Sequence, residues 1–103
     1  SPQVSVEQAA SCFALKEEVT AEEESRLGER EQLHVVPSRR DLDYLKQLRK
    51  SRDRAERKFK RAAERAGLGL DAASRVASQA RLRLRDESVA ATERWRCWQL
   101  GYR

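Results

Sequence analysis

Residues 71–102 read DAASRVASQARLRLRDESVAATERWRCWQLGY. Within them Ala73, Ala77, Ala80, Leu84, Ser88, Ala91, Trp95, Trp98 and Tyr102 recur at steps of 4, 3, 4, 4, 3, 4, 3 and 4. That spacing keeps residues on one face of an α-helix for about eight turns. Arg81-Leu82-Arg83-Leu84-Arg85 alternates with a strand's period, but it is short and sits inside the longer helical pattern. The reading is one helix over 71–100, capped at its start by Asp71.

Working back along the chain, Gly67-Leu68-Gly69-Leu70 is a tight turn, with Gly67 placed to end a preceding helix in the left-handed conformation. That helix starts after Pro37, where Ser38-Arg39-Arg40-Asp41 sets a hydroxyl three residues before an acid. Leu42, Leu45, Leu48, Ala55, Phe59, Ala62 and Ala66 then mark an apolar stripe. Arg52 falls within it, so its charge must reach an acid or the helix end. Two helices of ~28 residues joined by a tight turn predict an antiparallel hairpin about 40 Å long. Alanines dominate both stripes near the turn. The bulk of Leu42, Tyr44, Leu45 and Leu48 on one arm and Trp95, Trp98 and Tyr102 on the other makes the far end a wedge.

The first segment is the natural filler for that wedge. Ser5-Val6-Glu7-Gln8 has capping-box spacing, and Ala9, Cys12, Phe13, Leu15 and Val19 share one broad face. Thr20-Ala21-Glu22-Glu23 repeats the spacing, so helices are expected over 6–19 and again over 21–33. Residues 1–33 hold eight acids and three bases, whereas residues 34–103 hold 19 bases and nine acids. Such asymmetry marks an arm that pairs with its own complement. The acidic stretch Glu17–Glu31 is therefore expected to lie along the basic second helix, where an outside acidic partner would displace it.

Composition bounds the class. The 103 residues make one domain's worth, and charged residues are 38 % of them. Leu, Val and Phe total 20 with no Ile, close to the limit below which chains cannot bury a core. Fourteen Ala and only two Thr point to helix rather than sheet. No stretch reaches the roughly 18 apolar residues of a membrane span. There is no Met, and the opening Ser1-Pro2-Gln3-Val4 has no signal-peptide pattern, which predicts a piece excised from a longer protein. Cys12 and Cys97 do not make a disulfide framework, so reduced thiols and a cytoplasmic or nuclear location are expected.

Catalysis finds no support, and no enzyme is expected. His34 is the single histidine, no nucleophile motif accompanies it, and a loop or helix-end role fits it. One His and two distant Cys do not supply a zinc site, so neither metal nor cofactor is expected. Gly67-Leu68-Gly69 lacks the third Gly, the Lys and the preceding strand of a phosphate-cradling loop.

The second helix carries the candidate site. Lys46, Arg49, Lys50, Arg54, Arg57, Lys58, Arg61 and Arg65 lie off its apolar stripe, as does Lys60. Lys46, Lys50, Arg54 and Lys58 repeat every four residues, as do Arg57, Arg61 and Arg65; like charges so spaced repel by a few tenths of a kcal/mol each. Arg outnumbers Lys 17 to 5, and Arg is suited to paired hydrogen bonds with carboxylates and phosphates. The pattern predicts a surface for an acidic protein, with a phosphate backbone or an anionic membrane as alternatives. The run Arg49-Lys50-Ser51-Arg52-Asp53-Arg54-Ala55 resembles part of the basic region of bZIP transcription factors, which implies nucleic-acid binding or nuclear import. Their base-reading asparagine has no counterpart near Tyr44 and Leu45, and Gly67 and Gly69 interrupt the helix where a zipper should follow.

Trp95 and Trp98 are expected in the core; exposed, they would be anchors for a partner's groove. A thinner seam, Leu82, Val89 and Leu100, runs along the back of the third helix and predicts a further helix or self-association there. The whole is an all-α domain of three segments: an acidic helical arm (1–36), a basic helix (38–66) and an aromatic-ended helix (71–100). They are expected to form a three-helix, coiled-coil-like bundle that serves as a protein-interaction or scaffolding module.

Overall fold

A computed structural model describes residues 4–103. Four helices and no strand occur among them: α1 (Val6–Gln32), α2 (Arg39–Arg65), α3 (Leu70–Arg83) and α4 (Glu87–Gln99). The all-α class follows from the sequence as expected. The arrangement does not.

The expected long α2–α3 hairpin is absent. α1 is the element on which α2, α3 and α4 all pack, and the three barely approach one another. The antiparallel pair is α1–α2, closed by residues 33–38. Phe13 of α1 stacks on Phe59 of α2 with ring centroids 6.0 Å apart, and Arg30 meets Asp41 at the other end. The physical reason lies in the run Ala9–Leu15, all seven of whose residues are buried. A helix buried on every side must be central. Its small residues Ala9, Ala10, Ser11 and Cys12 let neighbouring backbones come close. Since α2 and α3 diverge, they leave an apolar cleft of about 480 Å³ with Phe13, Phe59, Ala73 and Ala77 among its walls.

α1 is continuous, without the expected restart at Thr20. That side chain is buried and its Oγ1 donates to the Lys16 carbonyl at 2.8 Å, bonding back into the helix instead of capping a new one. Ser5 caps α1 and Ser38 caps α2, each hydroxyl accepting an amide N–H at 3.1 Å. His34 takes the left-handed position that ends α1, with φ of 58°, and so is the helix-end residue its surroundings suggested. Gly67 plays that part for α2, with φ of 72°. Asp71 is not a cap: α3 begins one residue earlier, with Gly69 in the N-cap position.

The third segment breaks at residues 84–86. Asp86 caps α4, its Oδ1 accepting from the Ser88 and Val89 amides and from the Ser88 hydroxyl. The Ser88 hydroxyl and these amides hold the Asp86 carboxyl below its usual range. This local cap offsets the loss of helical continuity and also turns the face. Ala77, Ala80 and Leu84 are buried before the break, but after it Ser88, Ala91, Trp95 and Trp98 are exposed and Ala90, Glu93 and Cys97 face the core. The tryptophans are therefore not core residues, and the wedge they were to close does not form.

Cys97 meets Cys12 in a disulfide across a sequence separation of 85, against the expectation of reduced thiols. Both cysteines are buried, and Gln8 Nε2 donates to Glu93 Oε2 at 2.9 Å while lying 3.7 and 3.6 Å from the two sulfurs. Few residues of α4 are buried, so the covalent bond is its main attachment. In the chain-entropy account, closing a loop this long stabilises a fold by about 4.5 kcal/mol. Replacing both cysteines by serine should therefore lower the free energy of urea unfolding by that order; an unchanged midpoint would show that the bond contributes nothing.

Candidate anionic-partner interface

The geometry of α2 sorts the predicted cations. At 100° per residue, Lys46, Lys50, Arg54, Arg57, Lys58, Arg61 and Arg65 fall within an arc of about 120°. The buried residues Leu45, Ala55, Phe59, Ala62 and Ala63 lie on the opposite side. Lys46, Lys50, Arg54, Arg57, Arg61 and Arg65 are exposed and make no ion pair among the described residues. Lys58, at the edge of the arc, is half-buried with its ammonium 4.3 Å from the centre of the Tyr102 ring. Arg49 does not belong to this face, because its Nε meets Glu24 Oε1 at 3.0 Å on the α1 side. Arg52 finds its acids in Asp53 at 3.2 Å and Glu24 at 3.8 Å. Lys60 pairs with Glu56 one turn back.

The acidic half of α1 does not mask the basic face as expected. Glu24 takes Arg49 and Arg52, and Glu17 reaches Arg81 on α3 at 2.7 Å. Near the α1–α2 turn the polarity is reversed, with Arg26 and Arg30 of α1 on Asp41 of α2. Burial alone would raise the Asp41 carboxyl; the Ser38 hydroxyl and the two guanidinium groups more than offset it and hold the carboxyl below its usual range. No α1 acid pairs with Arg54, Arg57, Arg61 or Arg65, so an α1 that is already core cannot act as a displaceable arm.

The basic face extends further than its helix. Ser51 Oγ donates to the Arg103 carbonyl at 3.0 Å, which lays the C-terminal turn against α2. Arg103 in turn covers the Trp98 ring at 5.2 Å, and Trp98 stacks on Trp95 with centroids 5.3 Å apart. Lys16 of α1 lies in the same region, where burial and the nearby Arg54 charge both push its ammonium below the usual lysine range. Lys16 and Arg103 gave no sequence signal, since their placement depends on the disulfide and on the turn at Gly101. Of the predicted back seam, Leu82 and Leu100 are exposed and Val89 is half-buried, but Leu82 lies on α3, across the break from the other two.

Comparison with protein-family models, with curated proteins and with solved structures finds no match for this chain. No helix among the described residues is long and apolar enough to cross a membrane.

Tyr102 ties the two parts of the surface together. Its burial pushes the phenol above its usual range, against the opposing pull of Arg65 and Arg61. A proton held more tightly in the folded state gives stability that is complete below the unfolded value, about 10, and is lost as pH rises through the folded one. Tyr102→Phe should remove that loss, so the unfolding midpoint of the variant should fall less steeply above pH ~10 than that of the wild type. Parallel profiles would show that the phenol is not buried as described.

Proposed function

We propose that the chain is a non-catalytic helical interaction module that docks an acidic protein surface on the outer face of α2. The observation that supports this is the set of unpaired cations from Lys46 to Arg65, a row about 28 Å long on one side of a rigid helix. Their mutual repulsion costs stability with no internal partner to offset it, and a facing row of carboxylates removes that cost. The predominance of Arg favours paired hydrogen bonds to such carboxylates.

A phosphate backbone offers the same sign of charge, and the run 49–55 keeps nucleic acid as the second reading. The Cys12–Cys97 disulfide favours the protein partner. Disulfides are rare in the cytosol and nucleus, where nucleic acid is found. An oxidising compartment fits the bonded pair better.

The deciding titration uses a labelled oligoglutamate peptide and a labelled DNA duplex at matched salt. Arg57→Glu combined with Arg61→Glu should weaken oligoglutamate binding tenfold or more, with the helical content unchanged, since both side chains are exposed. Unaltered binding would make the face a merely solvated one. Tighter binding of the duplex, with a steep linear dependence on log salt, would replace the acidic protein by phosphate.

A further inference from the structure

The α4 part of the most regular stripe ends up facing away from the core. On α4 Ala90, Glu93 and Cys97 are the buried residues, which leaves Ser88, Ala91, Trp95 and Trp98 on the opposite side. Trp95 is 59 % exposed and Trp98 49 %, and their rings stack at an interplanar angle of 20°. Two adjacent exposed indoles are a larger apolar feature than scattered surface residues, and such a feature marks an interaction site.

The surroundings of the pair are positive. Lys16, Arg94 and Arg103 share a hollow of about 220 Å³ with Trp98 and the disulfide. Of the acids of α4, Glu93 is buried and engaged by Gln8 and Arg96, while Glu87 stands in the first turn, at the other end of the helix from Trp98. A second copy of the chain would bring Arg94 and Arg103 against like charges.

We propose that the outer face of α4 docks on an anionic lipid bilayer, with Trp95 and Trp98 in the interfacial zone and Lys16, Arg94 and Arg103 on lipid phosphates. Indoles favour that zone because the ring is apolar and the N–H reaches polar headgroups. Basic side chains beside them add attraction to anionic lipid. The helix lies along the surface and does not cross it. Lipid docking through α4 stands independently of the acidic-protein reading for α2.

The chain has only these two tryptophans, so their fluorescence reports this face alone. The full chain is mixed with vesicles of phosphatidylcholine and with vesicles in which about a third of the lipid is phosphatidylglycerol. The expected result is co-sedimentation and a blue shift of emission with the anionic vesicles only. Trp95→Ser should weaken that binding roughly tenfold while Arg57→Glu/Arg61→Glu retains the shift; circular dichroism checks that both variants stay folded. Sedimentation without a blue shift, or binding indifferent to Trp95→Ser, would overturn the proposal. A blue shift produced by oligoglutamate and not by vesicles would also overturn it, assigning the tryptophans to a protein partner.

Discussion

The packing that joins the helices of this fold centres on two turns of α1. Residues Ala9–Leu15 are buried without exception, which is possible only if neighbours surround the helix there. Small side chains at Ala9, Ala10 and Ser11 admit those neighbours closely, and the larger Phe13 and Leu15 fill the space between them. The fourth helix has little apolar surface of its own to contribute, so the bond from Cys12 to Cys97 holds it in place. Around the bond, Gln8 bridges the two elements through Glu93, and Arg83 donates to the buried Ser11 hydroxyl at 2.7 Å. Among the described residues, buried side-chain polar atoms are thus paired, as a stable interior requires.

The surface follows from that constraint. With α1 as the common wall, α2 exposes a full side to solvent, and that side carries the cations. Of the acids of α1, Glu24 takes Arg49 and Arg52, Glu17 takes Arg81 and Glu23 is balanced by Arg26, and none pairs with the far half of α2. The turn at Asp86 reorients α4 so that Cys97 can reach Cys12, and the same rotation delivers Trp95 and Trp98 to the outside. The C-terminal turn then joins the two exposed faces through Tyr102 and Arg103. One geometric requirement, reaching Cys12, accounts for both the covalent closure and the exposed indoles.

Features set by neighbours in sequence were legible before the structure. The helical class, the start of α2 at Ser38 and its end at Gly67 all rest on period and capping chemistry. Most of the basic face was legible too, because four-residue steps fix a side of a helix whatever it packs against. Arg49 escaped that logic, since its partner Glu24 lies on another helix. The break before α4 escaped because the stripe keeps its step from Leu84 to Ser88, and only the cap at Asp86-Glu87-Ser88 signals a stop. The centrality of α1 did leave a trace: Gln8–Leu15 is the longest uncharged run in the chain. The acid-rich stretch that follows drew the reading toward a peripheral arm. Cysteines 85 residues apart announce nothing about proximity, so the disulfide was beyond what spacing reveals.

The structural core is α1 and not an α2–α3 hairpin. Native-state hydrogen exchange followed residue by residue tests this most directly. The amides of Ala9–Leu15 should be the slowest to exchange, opening only with global unfolding, while α3 opens in a separate and less costly step. Slowest exchange in the facing halves of α2 and α3, with α1 exchanging early, would place the core in an α2–α3 hairpin instead.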